Sequence, residues 1–435
     1  MMDTTVIGAG VSGLALAGFR HKDSGLLLCE ASAELGGLVR SERIDGAVIQ
    51  WGANGFLNNE PAVDELMELL GLSPLHAKGG DRFLLHRGQP TALPAKPQQI
   101  LSSPLLGLWA KIRLLMEPLK GLRTEEQTVK DYLQHRLGRG VTQAFADAFV
   151  SGIWAGDPDE LSMQAAFPRL VAQVEAHGSL LGAMKAKKKS GSPAPVLTSF
   201  EGGLSAIGKA VEKLGAGRIR RNCLVSSMAP SENGWVLETS TGLIQTQRVV
   251  LALSAGRSAK LLKPIAPEAA ALLEAIPTAP VAVVHTRFPV QDWTPPSGFG
   301  ILCPHREESH SLGVLFTSSI FPTHSTNNEL VVRSILGGRR SPELVNEDPQ
   351  TIQQLALADL KRFLPGCPSP ISQHCIVHRE GIPQYTLGHQ KRIASVRQGV
   401  AHLPGLHLIG NYIEGVAVKD CIRVARDCAL SLDHP

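Results

Sequence analysis

Four residues near the start of the chain have the types and spacing to hold a dinucleotide. Gly8, Gly10 and Gly13 form the pattern G-x-G-x-x-G, and Glu30 falls about twenty residues further on. In such a pattern the first glycine permits a tight turn and the second lets a pyrophosphate approach the backbone. The third lets a helix pack closely on a sheet. A carboxylate at the position of Glu30 accepts hydrogen bonds from ribose hydroxyls. The glycine pattern alone is weak, because a glycine-rich turn needs no ligand, so its context decides.

The surrounding residues supply that context. Residues 4–7 (TTVI) are β-branched and suit a buried strand, residues 14–19 suit an apolar helix, and residues 26–29 form a second strand ending at Glu30. The helix N-terminus turns unpaired N–H groups and a partial positive charge toward the phosphates. A second glycine pair, Gly36 and Gly37, follows the acid and is itself followed by Arg40. Read alone, this pair is an ordinary turn.

The bulk properties narrow the class. A chain of 435 residues allows two or three domains. Hydrophobic content of 43% and charged content of 19% fit a globular protein and exclude a largely disordered one. A net charge of +4 with a pI near 8.7 is too mildly basic to argue for nucleic acid, and no basic patch is interleaved with aromatics. The seven cysteines are scattered without a C-x-x-C, and their odd number points to free thiols in a reducing compartment. The first strand begins almost at Met1, so no signal or transit peptide is expected and the expected setting is cytoplasmic. No uncharged apolar run is long enough to span a bilayer.

Further along, a helix with Pro61 in its first turn carries Val63, Leu66, Met67 and Leu70 on one face. Residues 82–94 read as a hairpin that turns at Arg87 and Gly88. Residues 100–122 read as one amphipathic helix in which Lys111 and Arg113 interrupt Leu105, Leu106, Leu108, Trp109, Ile112 and Leu115. Such a helix lies on a membrane surface or packs on the protein's own core. Helix is expected on to about residue 149, and residues 185–195 (KAKKKSGSPAP) read as a basic, solvated loop. Residues 198–214 lead through glycine into a helix. Strands are expected within 222–253, with Gly234 at a turn, and at 281–288 and 312–316. A helix at 351–363, a core strand at 406–409 and a final helix from about Lys419 complete the chain. His374 and His378 fall on one face of a strand, too spread to converge on a metal, so no metal site is expected.

Several stretches carry a family resemblance. They are the G-G-x-x-R run at 36–40, VSGIWAGDPDELSMQAAFPRL (150–170), GFGILCP (298–304), LGVLFTSSIFP (312–322), IPQYTLGH (382–389) and GNYIEGVAVKDCI (410–422). In this order they resemble the oxygen-dependent protoporphyrinogen oxidase family, within the larger group of FAD-binding amine oxidases and phytoene desaturases. The match spans nearly the whole chain and is loosest over 100–150. It implies an α/β fold with an FAD-binding Rossmann-like domain built from discontinuous segments, 1–72, 196–262 and 395–435. It further implies an α+β substrate domain of 73–99, 170–195 and 263–394, and a helical membrane-binding insertion of 100–169.

The resemblance also implies FAD as cofactor, its ring at a domain junction under a tetrapyrrole cavity. Gly36, Gly37 and Arg40 would run beside the pyrophosphate, and Val225, Gly410, Asn411, Gly415, Val416 and Val418 would complete the cofactor set. The final helix would aim its N-terminus at the pyrimidine side of the ring. Arg82 falls where the family sets an arginine against a substrate propionate, and Leu302, Leu315 and Ile335 fall at apolar cavity walls, with Phe299 beside them. A backbone carbonyl in the turn that begins at Gly152 would accept from pyrrole N–H groups.

The implied reaction is oxidation of protoporphyrinogen IX to protoporphyrin IX in haem biosynthesis, with molecular oxygen as acceptor and hydrogen peroxide as product. Flavin N5 would accept hydride, so no side chain is assigned a catalytic role. Coproporphyrinogen III oxidation to coproporphyrin III is the near alternative, since the substrates differ only in propionate versus vinyl groups. A flavin amine oxidase is more distant, because residues 280–288 contain no lysine and the chain has three tyrosines. A non-catalytic flavoprotein is the reading from another class, and the retained glycines, Glu30 and the C-terminal block argue against it. Peripheral contact with the cytoplasmic membrane is expected, and a homodimer is left open.

Overall fold

The computed structural model describes residues 1–432 apart from 95–96, 124, 190, 192–193, 216–217, 292, 294–296 and 327–328. The chain parts into two compact units. One comprises Met1–Ala77, Pro195–Pro277 and Gln390–Pro435, the other Lys78–Ala194 and Thr278–His389.

The first unit is built around the strand Met2–Ile7. Leu26–Cys29 and Gly242–Leu251 flank it in parallel. Arg218–Arg220 extends the sheet past the former and Leu406–Leu408 past the latter. Gly242–Leu251 also pairs antiparallel with Gly234–Thr239, which pairs with Val225–Ser231. The central strands are apolar on both faces because both faces are covered. Val6, Leu28 and Val250 pack with residues of the helices Val11–Phe19, Pro61–Leu70, Ala206–Lys213 and Val418–Ser431. Ile7, Leu27, Val249 and Leu251 pack with Ala255–Leu262 and Pro267–Glu274. Leu14 and Leu16 of the first helix are wholly buried, and each such burial stabilises by about 1.5–3 kcal/mol.

The second unit holds a sheet ordered Ser372–Pro383, Thr278–Pro289, Glu329–Gly337, Ser311–Leu315, Gly300–Leu302, Arg82–His86, Gln89–Ala92. Its alternation sorts side chains between two faces. Ala282, Val284 and Leu336 pack on Ile352 and Ala356 of the helix Pro349–Phe363, and Phe288, Ile301, Val314 and Val332 pack on its Leu360 and Phe363. The opposite face carries Leu84 and Leu302, which pack with Ala148 of the helix Arg139–Trp154 and with Leu105.

Three expectations are corrected. Residues 100–122 are not one helix: Pro97–Ser102 and Leu108–Leu115 are separate, and a short 3-10 turn, Glu117–Leu119, follows. Pro104 and Gly107 stand in the break, where proline cannot continue a helix and glycine costs it stability. Leu105 and Leu106 are therefore buried, while Leu108 and Trp109 are exposed. Next, Lys185, Lys187, Lys188 and Lys189 belong to the helix Leu180–Lys189, not to a loop; alanine and lysine are strong helix formers. Last, the helices of 100–169 form no third domain but lie in the second unit, and residues 73–77, 263–277 and 390–394 lie in the first. Pro267–Glu274 belongs there because Ala269, Ala270 and Leu273 share a core with Ala259 and Leu262.

A buried ion pair ties the helices of the second unit. Arg136 Nη1 donates to Glu117 at 2.8 Å, with both side chains at most 1% exposed. The same carboxylate accepts from the amides of Leu180 and Leu181 at 2.9 and 3.2 Å, capping the helix they begin. Arg136→Met strands that carboxylate and should lower the unfolding free energy in urea by about 3–5 kcal/mol. Adding Glu117→Gln should recover part of the loss. A loss below about 1 kcal/mol, the scale of exposed pairs, would show that the pair is not a buried tie.

Candidate functional site

The first unit presents a backbone cradle. Its leading strand ends at Gly8, whose φ of +102° opens the tight turn. A Cβ on Gly13 would stand 2.0 Å from the Gly8 carbonyl oxygen, so only glycine lets the helix Val11–Phe19 pack there. Gly10 differs: its φ is −71°, and a Cβ would meet nothing within 4 Å. Its need for glycine comes from outside the protein chain, in the open space where a phosphate group would approach.

The second glycine pair lies beside the first. The Gly36 amide donates to the Ala9 carbonyl at 2.8 Å, and Gly10 and Gly36 form a parallel bridge. Gly36 and Gly37 have φ of +111° and +52°, backbone that favours glycine. Arg40 follows with its guanidinium 4.0 Å from the Trp51 ring centroid and 3.7 Å from Glu42.

Glu30 is fixed at the same loop. Its Oε2 accepts from the Ala9 amide at 2.8 Å, and its Oε1 accepts from the Ser32 amide and hydroxyl at 2.9 and 2.8 Å. A carboxylate has about four lone-pair sites, which leaves room for a ribose hydroxyl. Cys223 donates its amide to the Glu30 carbonyl at 2.8 Å and leads into Val225, which brings that residue to the same end of the sheet.

The C-terminal block enters from the strand Leu406–Leu408. The Ile409 amide donates to Leu251 at 3.0 Å, and a Cβ on Gly410 would stand 3.0 Å from the Leu253 carbonyl oxygen. Asn411, Gly415 and Val416 are half-buried and Val418 is buried at the start of the helix Val418–Ser431. Gly415, with φ +127°, lies against Asp420. Burial pushes the Cys421 thiol up to about 12, against the nearby Ser12 hydroxyl, which pulls it down. The first turns of the first and last helices therefore lie side by side, both offering amide donors and positive dipole ends. Lys419, buried in the first turn of the last helix, donates to Asn59 Oδ1 at 2.8 Å; no pattern in the sequence singled it out. A cavity of about 520 Å³ beside Arg397, Leu406, His407 and Asp427 is lined by none of these cofactor-binding candidates.

In the second unit four substrate candidates, Arg82, Leu302, Leu315 and Ile335, share the sheet face turned away from Pro349–Phe363, with Phe299 against Arg82 and Gly152 against Leu302. Strand register sets Arg82 beside Gly300, Gly300 beside Leu315, Leu302 beside Gly313, and Gly313 beside Ile335. The Arg82 guanidinium lies 4.9 Å from the Phe299 ring centroid. A Cβ on Gly152 would lie 2.6 Å from Leu302 Cδ2, so the end of the helix Arg139–Trp154 touches this face. Two buried residues of the same face, Arg333 and His285, did not stand out in the sequence, where each sits in a largely apolar strand with no motif around it. Burial pushes the Arg333 guanidinium down to about 10. His374 lies opposite His285 and His378 opposite Val281, and among the described residues no three potential metal ligands converge.

Comparison with known proteins agrees with this architecture. The family model of the flavin containing amine oxidoreductases matches residues 21–430. The chain is 31% identical to the protoporphyrinogen oxidase of Homo sapiens, over 98% of this chain and 97% of that one. It is 27% identical to the chloroplastic protoporphyrinogen oxidase of Nicotiana tabacum, over 98% and 85%. A crystal structure from Exiguobacterium sp. 255-15, provisionally assigned as a protoporphyrinogen oxidase, superposes with a TM-score of 0.88 at 26% identity, covering 99% and 98%. FAD fits the cradle: the open side of Gly10, the adjoining Gly36–Gly37 backbone and Arg40 suit a pyrophosphate, and Glu30 suits a ribose. Gly10→Val should leave the circular dichroism and thermal midpoint of the apoprotein unchanged, yet weaken FAD binding by about a hundredfold or more. Gly13→Val should disturb the fold itself. Unchanged FAD affinity in Gly10→Val would contradict the cradle. The chain belongs to the flavin-containing amine oxidoreductase family, and FAD is its cofactor.

Proposed function

We propose that this flavoprotein oxidises protoporphyrinogen IX to protoporphyrin IX, with molecular oxygen as acceptor and hydrogen peroxide as product. The observation that carries the reading is the face of the second sheet. There the exposed guanidinium of Arg82 stands at one end of an apolar strip of Leu302, Leu315 and Ile335, with the Phe299 ring beside it. That pattern suits a broad, flat, apolar macrocycle with a carboxylate at its rim. The names borne by the human and tobacco relatives support it.

When bound, FAD would supply the hydride acceptor, and no side chain is assigned the proton that leaves with each hydride. The residues position and polarise. The Gly10 and Gly36 backbone and Arg40 offset the charge of the pyrophosphate. The N-terminus of the helix Val418–Ser431 offers amide donors and a positive dipole end, which favour negative charge beside it. Arg82 presents paired donors to a propionate, and the leucines and Ile335 exclude water from the macrocycle. The strand Thr278–Pro289 has no lysine, which weighs against amine oxidation.

We also propose that the second unit rests on a lipid surface. Leu108, Trp109 and Leu119 are 71, 82 and 79% exposed, and Ile112, Leu115 and Met116 are exposed beside them. Lys185, Lys188 and Lys189 are exposed on the helix that Glu117 caps, a cationic complement to anionic headgroups. Among the described residues no helix is long and apolar enough to cross a membrane.

In air-saturated buffer, FAD-loaded protein should turn protoporphyrinogen IX into fluorescent porphyrin with matching oxygen uptake and peroxide. Arg82→Ala should raise KM about tenfold with FAD affinity intact. Porphyrin formation no faster than autoxidation would defeat the reading, and turnover of coproporphyrinogen III alone would transfer it to that substrate. Anionic vesicles should sediment the protein, and serine at Leu108, Trp109 and Leu119 should abolish this. A wild-type protein left in the supernatant would remove the membrane contact.

A further inference from the structure

A charged seam outside the cofactor and substrate sets fixes the end of the helix Arg139–Trp154. The helix stops at Ala155, whose φ is +47°, and its last carbonyls emerge without intrahelical partners. Two of these are taken up: Gln384 Nε2 donates to the Trp154 carbonyl at 2.9 Å, and the Arg339 amide donates to the Ala155 carbonyl at 2.8 Å. Among the described residues no donor is directed at the carbonyls of Gly152 and Ile153.

Arg340 spans this end. Its Nη1 lies 2.6 Å from Asp147, on the helix, and its Nη2 lies 3.3 Å from Asp157, beyond it. Asp147 also accepts from the His305 amide. Arg339 adds a forked pair with Glu160 at 2.8 and 3.1 Å. Partial burial pulls the Asp157 carboxyl upward, but the Asp159 amide and Arg340 outweigh it and hold it below the usual carboxylate range. The pair therefore stays charged at neutral pH. Both arginines follow the strand Glu329–Gly337, whose Ile335 packs with Ala155. The turn and the apolar wall are thus one mechanical piece, and the free carbonyls lie at its rim.

We propose that Arg340 is a positioning residue for the porphyrinogen. By bracing Asp147 and Asp157 it holds the last helical turn so that the Gly152 and Ile153 carbonyls keep one direction and accept from the pyrrole N–H groups. This rests on the porphyrinogen reading. A purely structural ion pair would change stability and leave substrate binding alone.

The test uses FAD-loaded wild type, Arg340→Met, Arg340→Lys and a control, Arg362→Met. Arg362 pairs with Asp359 on the opposite side of the sheet. Steady-state oxidation of protoporphyrinogen IX gives KM and kcat, and fluorescence titration with protoporphyrin IX reads tetrapyrrole binding without turnover. Arg340→Met should raise KM and the porphyrin Kd about tenfold, with kcat within about twofold. Arg340→Lys should recover part of the loss, and Arg362→Met should lower only the thermal midpoint. Unchanged KM and Kd in a folded Arg340→Met protein would overturn the inference, as would an equal rise in Arg362→Met. If wild type binds porphyrin but does not oxidise porphyrinogen, the oxidase reading falls while the Kd comparison still decides Arg340. If wild type binds no tetrapyrrole, both fall.

Discussion

The first unit depends on one close approach, the backbone of Gly10 against that of Gly36 at the mouth of the first helix. A side chain at Gly10 would fill the open space that a pyrophosphate needs, and one at Gly36 would crowd the Arg40 backbone. Held together, they join two runs of amide donors to a helix dipole, and a phosphate there is neutralised mostly by backbone. The rest of the unit serves this contact. Gly13 lets the helix sit down on the sheet, Glu30 ties the loop from below through the Ala9 amide, and the last helix returns beside the first through Cys421 and Ser12. A cofactor gripped in this way is held by geometry that few single substitutions outside the glycines can reproduce.

The second unit solves a different problem with a sheet. Period-two alternation commits one face to the helix Pro349–Phe363, while the helix Arg139–Trp154 and Leu105 cover part of the other at Leu84 and Leu302. Glycines at 300 and 313 keep that second face low between Leu302, Leu315 and Ile335. The buried Arg333 and His285 in the same face show that the strip is not uniformly apolar.

Local rules made some of this legible in the sequence and left other parts hidden. The dinucleotide turn was readable because each glycine answers a constraint within its own loop, and the hairpin at Arg87 and Gly88 because both residues take positive φ. The return of the C-terminal block to the first helix was readable only through family resemblance, since nothing local links Ser12 to Cys421. The stretch at 100–122 misled because its apolar residues suit one amphipathic period, whereas Pro104 and Gly107 break it and tertiary packing buries Leu105 and Leu106. The lysine-rich segment read as a loop because its cap, Glu117, comes from far away in the chain. Arg340 was invisible for the same reason: its two acids lie nearly two hundred residues earlier.

The most direct measurement is the reductive half-reaction alone. FAD-loaded protein is mixed with protoporphyrinogen IX in the absence of oxygen while the visible flavin absorbance is followed. The account predicts rapid bleaching, release of porphyrin, and recovery of the absorbance when air is admitted. A flavin that stays oxidised while demonstrably bound would contradict it.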